Sequence, residues 1–230
     1  AMSGVHISNN TAIFTGGGDL TIRGKSNSSN TWWGGVLIRY YNTFNAGTGR
    51  IIIEGDSSGS VADYAAGVQL NHGSYGGSSR YLSAYNGTEP AIKVTGIGNS
   101  YSPGIDASYF GYSYTGVVPA LQTFGTGGIE LTGSNSGTST GDYGVELNGI
   151  GLFSKTGKIK VDGGYSGVRM SGYYYADCCV NYRGYNIFGE YPDVNIDFNY
   201  NASNRSSADV EIIGDRVVSS IGTTDVQIYT

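Results

Sequence analysis

The chain has 230 residues, among them 39 Gly and 20 Tyr, with 13 Lys+Arg against 18 Asp+Glu and a formal net charge of −5. Glycine without a Gly-X-Y period excludes collagen, a hydrophobic content of 39% excludes a disordered tail, and the acidic balance argues against nucleic acid, whose phosphates require a basic face. No apolar run reaches the ~18 residues of a membrane-spanning helix, no signal-peptide pattern is read at the start, and polar residues interrupt every helical stripe.

In chain order, short apolar-x-apolar triplets alternate between two series. Val5-His6-Ile7 opens one series, and Leu20-Thr21-Ile22-Arg23-Gly24 opens the other, which usually ends in Gly. Then come Val36-Leu37-Ile38, Ile51-Ile52-Ile53-Glu54-Gly55, Val68-Gln69-Leu70 and Ile92-Lys93-Val94-Thr95-Gly96. They are followed by Ile105-Asp106-Ala107, Ile129-Glu130-Leu131-Thr132-Gly133, Val145-Glu146-Leu147, Ile159-Lys160-Val161-Asp162-Gly163 and Val168-Arg169-Met170. Val194-Asn195-Ile196 and Val226-Gln227-Ile228 continue the Gly-ending series, and Val210-Glu211-Ile212 continues the other. Of the 28 flanking positions 27 are Val, Ile, Leu or Met, so each triplet predicts a strand with one face in a core. A third short strand is expected around Ile13, Phe44, Phe153 and Val218.

Short strands recurring about every 34 residues, with no helix to carry a crossover, predict an all-β solenoid, a parallel β-helix of about seven coils. Like strands should pair in parallel and stack their outward residues into charge ladders. Lys93, Glu130 and Lys160 form one such ladder, and Glu146, Arg169 and Glu211 another; Asp106 beside Glu146 departs from alternation. No polar cap is read at either end, so residues 3–230 are expected to be one segment excised from a longer solenoid, with residues 1–2 an expression scar.

Three return paths, after Val68, Ile105 and Val168, are longer by about ten residues and predict loops on one side of the coil. They hold Tyr75, Tyr81 and Tyr85, then Tyr109, Tyr112 and Tyr114, then Tyr173, Tyr174, Tyr175, Tyr182, Tyr185 and Tyr191. Tyrosine offers a stiff apolar face with a polar tip, on which sugar rings stack, so these residues are the candidate ligand-binding surface. The bland alternative is that they pack on the outer sheet and shield it from water.

An enzyme would need paired carboxylates or a basic residue over a uronate, and only Asp106, Glu146 and Arg169 qualify by ladder spacing. His72 and His6 read as surface residues. No nucleophile triad, metal-ligand pattern or phosphate loop is present, so no catalytic residue, metal or cofactor is assigned. Cys178 and Cys179 are adjacent, a candidate vicinal disulfide, though thiols or a cross-link to another chain fit equally. Five Asn-X-Ser/Thr sites, Asn9, Asn27, Asn86, Asn201 and Asn204, are candidate glycosylation positions.

The repeat Thr126-Gly127-Gly128-Ile129-Glu130-Leu131-Thr132-Gly133, followed by Gly144-Val145-Glu146-Leu147, resembles the large bacterial exoproteins of two-partner secretion, the filamentous-haemagglutinin-like adhesins. The resemblance covers residues 4–230 and is one of repeat grammar; the family's amino-terminal secretion domain is not recognisable. It implies a right-handed β-helix, an interior passenger segment, and export through an outer-membrane transporter to the bacterial surface. It also implies adhesion to a receptor or glycan on a host or neighbouring cell. A monomer with no membrane span is expected. The alternatives are a polysaccharide lyase or glycoside hydrolase of β-helix fold, and a structural spacer without ligand.

Overall fold

The computed structural model describes residues 3–29, 33–70, 79–108, 120–136, 143–148, 150–171, 174–177, 180–183, 186–189, 210–213, 217–219 and 226–228. The chain runs through Val5–Ser8 (β1), Ala12–Phe14 (β2), Leu20–Lys25 (β3), Val36–Arg39 (β4), Thr43–Asn45 (β5) and Ile51–Asp56 (β6). Next are Val68–Leu70 (β7), Arg80–Ser83 (β8), Ile92–Gly98 (β9), Ile105–Ser108 (β10), Ala120–Thr123 (β11) and Ile129–Asn135 (β12). Val145–Asn148 (β13), Gly151–Ser154 (β14), Ile159–Asp162 (β15), Val168–Ser171 (β16), Tyr174–Asp177 (β17) and Val180–Arg183 (β18) follow. Asn186–Gly189 (β19), Val210–Ile213 (β20), Val217–Ser219 (β21) and Val226–Ile228 (β22) complete the order. Helix is confined, among the described residues, to one 3₁₀ turn at Gly164–Ser166.

Three parallel sheets result. The first runs β1-β4-β7-β10-β13-β16-β21, the second β2-β5-β8-β11-β14-β19-β22, and the third β3-β6-β9-β12-β15-β20. Among the described residues only β17 and β18 pair antiparallel. Sequence neighbours never pair within these three sheets; each strand pairs with its counterpart one repeat away, the arrangement of a parallel β-helix.

The triplets explain the core. In β6 the inward Ile51 and Ile53 are fully buried while Ile52 and Glu54 are partly exposed, and Ile92, Val94, Ile129, Leu131, Val36, Val68 and Ile105 repeat this on neighbouring strands. Each fully buried aliphatic contributes roughly 1.5–3 kcal/mol. The second sheet supplies one inward residue per strand, Phe44, Tyr81, Leu121 and Leu152, all fully buried.

Glycine closes the coil. The inward residue after the triplets of β3, β6, β9, β12 and β15 is Gly, and it faces the Gly just ahead of the next first-sheet strand. A Cβ on Gly96 would lie 2.0 Å from the Gly104 carbonyl oxygen, and one on Gly133 2.0 Å from that of Gly144. The two sheets converge there until only backbone fits. Buried hydroxyls and amides turn the same corner. Ser60 donates to the Ser28 carbonyl (2.5 Å), and Asn99 Nδ2 donates to the carbonyls of Ser60 (3.1 Å) and Ala62 (2.7 Å).

The sequence reading slips in the last repeat. Val210–Ile213 pairs with β15 in the third sheet, not the first; Val217–Ser219 takes the first-sheet place expected of Val210; and Val226–Ile228 joins β19 in the second sheet. The β17–β18 hairpin and β19 fill the stretch after β16, and an apolar-x-apolar triplet reads alike in every sheet, so spacing alone lost the phase. Val194–Ile196 lies outside the described residues.

Candidate functional site

The third sheet carries a longer charge ladder than the triplets predicted. Glu211 stands opposite Lys160 instead of following Arg169, so Lys93, Glu130, Lys160 and Glu211 alternate through four successive strands. Lys93 Nζ lies 3.5 Å from Glu130 Oε1, Lys160 turns to Asp162 (3.3 Å), and Glu211 takes Lys158 (2.5 Å). Towards the start of the sheet Lys25 pairs with Asp56 (2.7 Å). Arg50 binds Asp19 through Nη2 (2.8 Å), Nε (3.0 Å) and its backbone N–H (2.8 Å). The Arg50 side-chain and backbone hydrogen bonds hold the Asp19 carboxyl below its ordinary range. For Asp56, partial burial works upward, but the hydrogen bonds from Lys25 and Ser58 outweigh it and the net shift is down. Exposed pairs of this kind contribute about 0.2–1 kcal/mol each and set register more than stability.

On the outer face of the first sheet, Asp106, Glu146 and Arg169 are in-register neighbours on β10, β13 and β16. The structure therefore brings together the one carboxylate pair the sequence offered. Arg169 Nη1 lies 3.4 Å from Glu146 Oε1, and its guanidinium sits 5.8 Å from the centre of the Tyr143 ring. The same outer face is closed to solvent nearer the start of the chain. Leu37 and Gln69, both outward on their strands, are buried beside Ala62, Ala65 and Ala66, and Gln69 Nε2 donates to the Tyr64 carbonyl (2.9 Å). His6, outward on β1 and exposed, meets Trp33 edge to face with centroids 5.4 Å apart. Partial burial, and then Arg39, push its imidazole below the usual value.

The candidate tyrosines divide. Tyr81 is not a surface residue: it is the inward residue of β8, fully buried and stacked on Phe44 with centroids 5.0 Å apart and planes 13° from parallel. A phenol was expected on a loop, but the coil turned earlier and its ring fills the core. Burial drives its hydroxyl far above the ordinary tyrosine range, and that oxygen has no well-formed hydrogen bond. Tyr85 sits in the turn between the second and third sheets, half-buried, with Arg50 5.8 Å from its ring centre. Tyr174 and Tyr175 lie on β17, where Tyr175 pairs with Tyr182 of β18. Tyr75, Tyr109, Tyr112, Tyr114, Tyr173, Tyr185 and Tyr191 lie outside the described residues, as do His72, Cys178, Cys179, Asn201 and Asn204.

Strand order nonetheless fixes which sheets the long paths connect. Residues 71–79 join β7 to β8, residues 109–119 join β10 to β11, and residues 172–185 lead from β16 to β19. Each runs from the first sheet to the second, where β1 to β2 and β4 to β5 take only residues 9–11 and 40–42. Beyond that corner, Gln122 and Phe153 point outward from the second sheet yet are 3% and 1% exposed, so this part of the sheet is covered. Asn9, Asn27 and Asn86 are exposed in turns; the Asn86 side-chain oxygen accepts the Thr126 N–H at 3.1 Å.

A row that the triplets did not reveal lies at another corner, between the third and first sheets. Trp33, Tyr64, Tyr101, Tyr143 and Tyr165 each stand two to four residues ahead of a first-sheet strand. The signal is an aromatic residue two to four residues ahead of the Val or Ile that opens β4, β7, β10, β13 and β16, a spacing too variable to read as a repeat. Among the described residues the third sheet carries two open depressions. One, of about 560 Å³, is lined by Thr88, Pro90, Thr126, Glu130, Lys158 and Lys160. Among the described residues no three His, Cys, Asp or Glu side chains converge as a metal site would require.

No protein-family model, curated protein or solved structure matches this chain. No described helix is long and apolar enough to cross a membrane. Geometry therefore carries the functional argument. Three stacked parallel sheets meet at three corners: the long connections run between the first and second sheets, the aromatic row lies between the third and first, and the outward face of the first sheet, with Asp106, Glu146 and Arg169, lies between these two corners.

Proposed function

We propose that the chain is a right-handed β-helical segment, about seven coils long, of a surface-exposed bacterial adhesin of the two-partner-secretion type, reached through an outer-membrane transporter. In this reading it is a rigid rod whose insertions present a tyrosine-rich face to a receptor or glycan on a host or neighbouring cell. The observation that carries the proposal is the shared corner. Three insertions, 71–79, 109–119 and 172–185, all connect the same two sheets and hold Tyr75, Tyr109, Tyr112, Tyr114, Tyr173, Tyr174, Tyr175, Tyr182 and Tyr185. Insertions at one corner of a solenoid suit a binding face, since the coil tolerates them where they leave its core intact; the two-residue connection 149–150 separates the second insertion from the third.

A glycan array tests it. Binding that disappears on changing Tyr112 and Tyr114 to Ala, in a chain that keeps its β spectrum, supports the adhesin reading; an array without signal refutes it. The neighbouring Asp106 and Glu146 favour one other function, a polysaccharide lyase or glycoside hydrolase working across β10 and β13. Soluble oligosaccharide released from a polysaccharide, and abolished by Asp106→Asn, would establish that reading. Neither binding nor turnover would leave the rod as a spacer.

A further inference from the structure

The turns that carry the chain from the third sheet to the first hold an aromatic residue in five successive repeats, Trp33, Tyr64, Tyr101, Tyr143 and Tyr165. The strands they precede, β4, β7, β10, β13 and β16, are consecutive neighbours in one sheet. The residues therefore lie along a single corner of the solenoid, one per repeat, ahead of strands about one spacing, ~4.8 Å, apart.

Packing does not account for the exposed members. Tyr64, Tyr101 and Tyr165 are 60%, 58% and 79% exposed. The turns themselves are held by buried polar groups: Ser57 donates to the Ala65 carbonyl, and the Asn99 side chain bridges to Ser60 and Ala62. Tyr64 also has φ 61, a left-handed backbone that costs a bulky residue on the order of 1–3 kcal/mol and persists only where its surroundings impose it. Here the imposing group is Gln69, fully buried, whose amide holds the Tyr64 carbonyl at 2.9 Å.

Polar groups suited to hydroxyls lie beside the later part of this corner. Asp106, Glu146 and Arg169 occupy adjacent outward positions of the first sheet, with the Arg169 guanidinium 5.8 Å from the Tyr143 ring centre. Flat aromatic faces take the C–H faces of sugar rings, while carboxylate and guanidinium groups accept from and donate to ring hydroxyls. Two carboxylates beside one guanidinium repel a sulfated or uronate chain. A ligand that meets the same kind of group at each coil is itself a repeating, extended polymer, and one pyranose unit has a length comparable to the strand spacing.

We infer that Tyr101, Tyr143 and Tyr165, with Asp106, Glu146 and Arg169 beside them, form a binding strip for a neutral linear polysaccharide lying along the solenoid axis. The strip lies at the corner between the third and first sheets, the long insertions at the corner between the first and second, and the strip does not depend on them. The test is affinity electrophoresis of the whole chain in gels containing hydroxyethylcellulose, xyloglucan, galactomannan or arabinoxylan, with dextran sulfate as the anionic control. At least one neutral polymer retards the chain, and Tyr101→Ala with Tyr165→Ala weakens that retardation tenfold or more. Both side chains are exposed, so the variant keeps its thermal midpoint and β spectrum. The inference is overturned if no neutral polymer retards the chain, if only dextran sulfate does, or if the double variant binds as before. Tyr112→Ala with Tyr114→Ala separates the two surfaces. Loss of neutral-polymer binding in that variant alone places the site on the insertions and overturns the strip; loss in the Tyr101/Tyr165 variant alone upholds it and leaves the insertions without a glycan.

Discussion

Changing Gly133 to Ala adds one methyl group to a place where the structure has none to spare. Its Cβ would stand 2.0 Å from the Gly144 oxygen, 2.6 Å from the Gly144 carbonyl carbon and 2.7 Å from Val145 Cγ2. Relief must come from backbone, and that backbone is held on both sides. The Gly144 carbonyl accepts the Ile105 N–H at 2.9 Å, and the Gly144 N–H donates to Gly167 at 2.9 Å. Overpacking a fixed core costs about 1–3 kcal/mol, and losing one ladder hydrogen bond adds about 1 kcal/mol. We expect Gly133→Ala to destabilise the chain by about 3 kcal/mol. At about 2–4 °C per kcal/mol for a chain of this size, the thermal midpoint falls by about 6–12 °C. Gly18→Ala is the control: the nearest atom to its added Cβ is 4.0 Å away, and the change should stay within about 0.5 kcal/mol. Urea unfolding followed by circular dichroism measures both. Equal midpoints for the two variants would refute the account of why glycine ends the triplets of β3, β6, β9, β12 and β15.

Tyr81→Phe removes a buried hydroxyl that lacks a well-formed hydrogen bond, so stability should change by less than about 1 kcal/mol, while Tyr81→Ala leaves a cavity and costs about 3–5 kcal/mol. In an alkaline absorbance titration of the native chain, one phenol absent from the Tyr81→Phe variant should stay protonated after the exposed tyrosines have ionised. Asp19 and Asp56 have carboxyls lowered in the folded chain, so their contribution is complete above the unfolded value near 3.8 and is lost as pH falls through the folded values. Thermal midpoints measured from pH 5 to pH 2 should fall less steeply in Asp19→Asn with Asp56→Asn, the difference being about 0.2–1 kcal/mol per pair and shrinking in high salt. The His6 imidazole should titrate below 6.5, and Arg39→Ala should move it upward, though only in part because burial is the larger cause, as read from its ring resonances by NMR.

The first and third sheets were legible because their strands carry two inward aliphatics each, as Ile51 and Ile53 or Val68 and Leu70 do, and the second was legible in part, its strands standing where they were expected around Ile13, Phe44 and Phe153 but not around Val218. The second sheet carries one, and a lone Phe44 or Leu121 between polar neighbours leaves no triplet. Tyr81 was misplaced for that reason: between Arg80 and Leu82 it has no periodic signature of burial. Leu37 and Gln69 lie on the outward side of their triplets, yet both are buried, Gln69 with its amide on the Tyr64 carbonyl of the preceding turn, and no local pattern announces a turn's direction. The Asp106–Glu146–Arg169 row was readable because register follows directly from triplet alignment. The aromatic row was not, because its members sit in turns of differing length and share no fixed offset from the strand.

In-register stacking of successive repeats is the premise beneath both proposed surfaces, and a disulfide ruler tests it. With Cys178 and Cys179 replaced by Ser, Lys93→Cys with Glu130→Cys places two thiols on adjacent third-sheet strands in register, about 4.8 Å apart. Lys93→Cys with Lys160→Cys places them two strands apart, about 9.5 Å, beyond the ~7 Å limit of a disulfide. Mild oxidation should cross-link the first pair within the monomer and leave the second as thiols. A first pair that stays reduced, or a second pair that closes as readily, would contradict the stacked-coil architecture.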